Sequence, residues 1–181
     1  MASTLVGASG CAPALIAGTT VGAVTVAQER RVGDAFDDAT LQVDIEGRLL
    51  DADADLFRKV NVDVVESRVL LVGLVPTESK RNEATQIAYQ APHVKEVINE
   101  LQVAEGSRLS AYPGDLAIST QLRTKLITDA DIHQLNYHIE TVRGSVYLFG
   151  IARSQSELDR SINHARSLRG VQRVVSHVRI K

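Results

Sequence analysis

Tryptophan is absent from this 181-residue chain, cysteine and methionine occur once each, and aromatic residues make up only 4% of it. A core must therefore be built from Val, Ile, Leu and Ala, and there is no set of aromatic faces on which single-stranded bases could stack. One cysteine excludes an internal disulfide and any zinc site built on several thiolates. Four prolines in the whole chain leave long stretches open to regular structure. What is present is globular in character, with 44% hydrophobic and 23% charged residues. That length and composition suit one ordinary domain or two small ones.

The formal net charge of −2 hides a split. From Asp37 to Gly106 there are 14 Asp/Glu against 7 Lys/Arg, and from Ser107 to Lys181 there are 6 against 11. The first half is acidic and the second basic, so the halves are expected to meet different partners, or to attract one another.

No charge precedes Glu29, and residues 1–27 are rich in Ala, Gly, Thr and Val, the composition of a targeting segment. The lone Cys11 follows "LVGASG", and small residues before a single Cys resemble the processing site of a bacterial lipoprotein, with Cys11 as the lipidated residue. The third position before it is Ala8 in place of the usual Leu, and a basic leading region is missing, so Met1 is expected to lie inside a longer signal peptide. Two other readings stay open: a membrane span through residues 12–27, which is short and weakly apolar for that purpose, and an unmodified leader.

"RVLLVG" at 68–73 returns as "SVYLFG" at 145–150. With an offset of 77 the halves align without a gap from Val69/Val146 to Val103/Ile180, including Leu71/Leu148, Ala88/Ala165 and Val97/Val174. Such a fixed offset marks a duplicated unit. Leu41, Ile45 and Leu49, matched by Ile118, Leu122 and Leu126, predict a helix stripe. "NVDVV" and "NYHIE" alternate as strands, and "VLLVGLV" and "VYLFGIA" read as apolar strands after tight turns. Thr77 and Ser154 are N-cap candidates for a second helix, and "VKEVINELQV" and "VQRVVSHVRI" predict a last strand. The expected fold is α+β, α-β-β-α-β twice. The boundaries are 1–27 for the leader, 28–40 for a linker, 41–104 and 115–181 for the two copies, and 105–114 for the segment joining them. Each middle strand is apolar on both faces while its own helices cover one, so the copies are expected to pack together.

The usual signatures of chemistry fail. Asp51, Asp53 and Asp55 begin like a calcium loop, but Leu56 stands where Gly is needed and Val62 where Glu is needed. The five His form no H-x-x-x-H pair, and "GASG" in the leader follows no strand. Five Arg from Arg153 to Arg173 read as a solvated basic face rather than a nucleic-acid site. No catalytic set, metal site or cofactor is expected.

"VLLVG" with "HVKEV", and "VYLFG" with "GVQRV", resemble the two halves of the BON-domain pattern, V-x-L-x-G followed by a helix and G-V-x-x-V. His93 replaces the glycine of G-V-x-x-V in copy one, a departure expected to affect its turn. "RRVGDAFDDATL" further resembles the dual-BON outer-membrane lipoproteins of Gram-negative bacteria. That resemblance implies two tandem BON domains, each with two helices on a small mixed three-stranded sheet. It also implies a lipid anchor in the outer membrane on its periplasmic face, binding of anionic, phosphatidylglycerol-type phospholipid by the second domain, and a role in envelope integrity and cell division.

The residues themselves offer a matching face. In "DLAISTQLRTKLI" the stripe opposite Ile118, Leu122 and Leu126 carries Leu116, Thr120, Arg123 and Ile127, with Ala117 and Thr124 beside them. Two aliphatics flanking an Arg suit an acyl boundary topped by phosphate. Where the lipoproteins it resembles carry an aromatic in this helix, Ala117 stands here. The first copy has Glu46 at the position of Arg123 and is expected to be repelled by an anionic surface. A second reading is an envelope scaffold that contacts a protein or peptidoglycan.

Overall fold

The computed structural model describes residues 32–106 and 113–181, with side chains from residue 37 onward. Cys11 and the leader lie outside the described residues. The first copy runs α1 (Val32–Ala52), α2 (Ala54–Lys59), β1 (Val60–Val65), β2 (Arg68–Val75), α3 (Glu78–Gln90) and β3 (Glu96–Val103). The second runs α4 (Pro113–Thr128), a 3-10 turn (Gln134–Asn136), β4 (Tyr137–Val142), β5 (Ser145–Ala152), α5 (Gln155–Arg166) and β6 (Arg173–Ile180). In each copy the second strand is central, antiparallel to the first and parallel to the third, giving two mixed three-stranded sheets.

Side-chain alternation along the central strands decides the packing. Val69, Leu71 and Val75 join Ile45, Leu49, Ala84 and Ala88 in the first copy's own core. Val146, Leu148 and Ala152 do the same with Leu122, Leu126 and Ala165 in the second. The alternate residues Leu70, Val72 and Leu74 meet Tyr147, Phe149 and Ile151 in a third apolar cluster. The sheets therefore pack face to face with helices on both outer sides, since a strand apolar on both faces needs cover on both.

Local chemistry supports these elements. Thr77 Oγ1 accepts from Lys80 N at 3.2 Å, and Ser154 Oγ accepts from Glu157 N at 3.2 Å, so both N-cap candidates cap. A Cβ on Gly73 or Gly150 would overlap the carbonyl oxygen of Lys59 or Asn136, the residue just before β1 or β4, which is why V-x-L-x-G ends in glycine. His93 keeps the left-handed turn with φ 68, close to the φ 93 of Gly170, so the substitution leaves the turn in place.

Two features differ from the expectation. Residues 32–40, read as linker, belong to α1. The reason is tertiary: Asp38 is only 4% exposed and accepts from Glu66 N at 2.7 Å and Ser67 N at 2.8 Å, pinning the β1–β2 turn. Asp115 repeats this with Arg143 N at 2.6 Å and Gly144 N at 2.8 Å. The short α2 is the other difference, in the stretch that began like a calcium loop. Asp53 is its N-cap, accepting from Asp55 N at 2.7 Å, and Leu56 plugs the core.

Candidate functional site

Helix α4 has two faces because its inner one is needed twice, for packing and for turn capping. Ile118, Leu122 and Leu126 are buried against the sheet, and Asp115 holds the β4–β5 turn. The opposite side carries all six residues singled out above, Leu116, Ala117, Thr120, Arg123, Thr124 and Ile127, every one exposed. Leu116 is 75% and Ile127 67% exposed, well above the other exposed large apolar residues described in this copy, Leu135 at 44% and Ile180 at 47%. With a rise of about 1.5 Å per residue, Leu116 and Ile127 sit roughly 16 Å apart along the axis with Arg123 between them. Thr124 gives its hydroxyl to the Thr120 carbonyl at 3.0 Å, so that group is satisfied within the helix.

Arg123 does not simply extend into solvent. Its Nη2 donates to the Ile139 carbonyl at 2.8 Å and lies 3.7 Å from Glu140 Oε1, which draws the guanidinium over the edge of β4 while its side chain stays 46% exposed. Burial pushes the Glu140 carboxyl above the usual carboxylate range, and the neighbouring Asp63 adds to this, while Arg123 and the hydrogen bond from Asn61 pull the other way. At 3.7 Å the Arg123–Glu140 contact is longer than a hydrogen bond. Sequence reasoning missed Glu140, because its approach to Arg123 depends on the packing of β4 under α4.

The equivalent helix of the first copy has a different surface. Val43 is 68% and Leu50 48% exposed, but Glu46 accepts from Gln42 at 2.9 Å and Asp44 pairs with Arg48 at 2.8 Å. Its stripe therefore carries an acid where α4 carries Arg123. Elsewhere, carboxylates that suggested metal are occupied by cations: Asp53 by Lys80 at 2.7 Å, and Asp55 by Arg58 at 3.1 Å. Among the described residues no group of three or more His, Cys, Asp or Glu could hold a metal ion. No described helix is long and apolar enough to cross a membrane.

The duplicated sheet, the glycine that admits the neighbouring carbonyl and the paired turns have a family counterpart. The BON domain model matches residues 37–105 and again residues 114–181. The chain belongs to the BON-domain family. Among BON proteins it is similar to outer membrane lipoprotein DolP of Haemophilus influenzae, at 30% identity over 92% of this chain and 86% of that one. It is also similar to osmotically-inducible protein Y of Escherichia coli, at 28% over 83% of this chain and 76% of that one. An uncharacterised Anaplasma centrale protein is 40% identical over 81% of this chain and 96% of its own length.

Proposed function

We propose that this BON protein is anchored through an acylated Cys11 to the outer membrane on its periplasmic face, and that its second BON domain docks on anionic phospholipid through α4. In this reading it supports envelope integrity and cell division without catalysing a reaction. The observation that carries the reading is the exposure of Leu116 and Ile127 on either side of Arg123. The basic second half and the similarity to a named outer membrane lipoprotein support it.

Magnitudes indicate what such docking is for. Burying two aliphatics contributes roughly 3 to 5 kcal/mol at most, and one basic group near an anionic leaflet about 1 kcal/mol. Multiple acyl chains on Cys11 would already give lasting attachment. The helix would then select where on the membrane the protein dwells.

The test is flotation of the Cys11→Ser chain, which lacks the acylation site, with phosphatidylethanolamine vesicles with or without phosphatidylglycerol. Binding is expected only with phosphatidylglycerol and is lost in Arg123→Glu; equal flotation on both vesicles, or an unaffected variant, contradicts the reading. A second reading, an envelope scaffold, is favoured by the acidic stripe of α1 with exposed Val43 and Leu50. It predicts, in intact cells, cross-links from Val43 to a protein or peptidoglycan that persist when lipid composition changes.

A further inference from the structure

A cavity of about 610 Å³ opens beside the α4 stripe, and both copies line it. The second copy contributes Leu116, Arg123 and Glu140, and the first contributes Arg58, Lys59 and Leu74. Resting on the proposed lipid reading, we infer that the headgroup phosphate is held between the two copies, with Arg58 and Lys59 of the first completing the site begun by Arg123. The first copy, acidic overall, then supplies part of the anion site through the two cations at the end of α2.

The charge arrangement favours a monoanionic phosphodiester. Three cations line the cavity against the carboxylates of Asp115 and Glu140. Asp115 has both oxygens engaged by the turn amides of Arg143 and Gly144. Glu140 accepts from Asn61 at 2.9 Å and is 3.7 Å from Arg123, a contact a phosphate oxygen can replace. Arg58 and Lys59 share a single carboxylate, Asp55, at 3.1 Å and 3.7 Å, and Arg58 is 68% exposed, so both retain donors for an incoming anion. Leu116 stands at the same cavity, so a lipid whose phosphate entered it would have its glycerol and acyl portion beside the apolar stripe. Without α2, which the first copy alone possesses, the second copy would present Arg123 by itself.

The experiment compares two double variants of the full Cys11→Ser chain that remove equal charge from the first copy: Arg58→Gln/Lys59→Gln at the cavity, and Arg81→Gln/Lys95→Gln on and after α3. Binding to phosphatidylglycerol vesicles is expected to weaken roughly 10- to 30-fold in the cavity pair and less than about 3-fold in the control pair, with unchanged thermal unfolding in both. Equal losses would reduce the effect to overall charge, and no loss would leave the first copy out of the site; either overturns the inference while the parent chain's flotation upholds the α4 reading. Failure of the parent chain to float overturns the α4 reading, and titration with sn-glycerol 1-phosphate then decides the site. Amide shifts at Asn61 and Arg123 that vanish in the cavity pair assign it to a free phosphate ester, and an absence of shifts overturns it.

Discussion

Asp38 and Asp115 each hold a turn that lies 28 residues away in sequence, and those turns need holding. Glu66, Ser67, Arg143 and Gly144 all have φ between 52 and 74, as a two-residue hairpin connection requires, and three of the four are not glycine. Each carboxylate accepts two turn amides, so it offsets the strain where the turn sequence does not relieve it. Asp38→Ala leaves two amides without a partner and removes two hydrogen bonds to a charged acceptor. It is expected to cost roughly 2 to 5 kcal/mol, read as a lowered urea midpoint, with Asp38→Asn intermediate. An unchanged midpoint for the alanine variant would mean that the turn holds itself. These aspartates were legible only through the offset of 77, which aligns Asp38 with Asp115; nothing in their immediate neighbours marks them, because their partners come from another element.

Among the elements, the strands and the first helix stripes were the most legible, since Ile45/Leu49 and Ile118/Leu122 repeat at helix spacing and all four are buried. Residues 32–40 were not, because Asp38, which ties them to the fold, is an acid whose partners Glu66 and Ser67 lie on another element. Helix α2 escaped because its six residues are too few to show a period. The solvent face of α4 was visible in the sequence as a wheel, whereas the lean of Arg123 toward Ile139 and Glu140 requires β4 to be in place. The two first helices allow a test by transplant. Replacing Leu116 and Arg123 with their first-copy counterparts, Leu116→Ala/Arg123→Glu, changes only exposed positions. Thermal unfolding within a few degrees of the parent chain is expected, with loss of phosphatidylglycerol binding by at least about 10-fold; retained binding would move the site off α4.

Across the whole molecule the copies face each other through matched positions. Asn61 bonds Glu140 at 2.9 Å and His138 bonds Asp63 at 2.9 Å, while Glu100 meets its own counterpart His177 at 2.8 Å. At an offset of 77, Asn61 corresponds to His138, Asp63 to Glu140 and Glu100 to His177. That is the pattern of a two-fold contact, in which i meets j and j meets i, built here within one chain. Divergence inside the frame has made its two sides unlike: Phe149 replaces Val72 at the interface, and the Arg68 guanidinium lies 5.3 Å from the Phe149 ring centroid. Because Tyr147 and Phe149 are fully buried between the sheets, Phe149→Ala is expected to cost about 3 to 5 kcal/mol and to lower a single unfolding transition shared by both copies. Two separated transitions in the parent chain would show that the copies stabilise themselves independently.

Helix α1 packs on the first copy's sheet and α4 on the second's, and the proposed reading assigns the membrane contact to α4 alone. The most direct measurement uses the Cys11→Ser chain bound to phosphatidylglycerol-containing bicelles doped with nitroxide-labelled lipid, and follows paramagnetic broadening of the backbone amides. Strong broadening is expected over residues 116–127, extending to Arg58 and Lys59 at the cavity, with residues 43–50 of α1 unaffected. Broadening centred on 43–50, or spread equally over both helices, would contradict it.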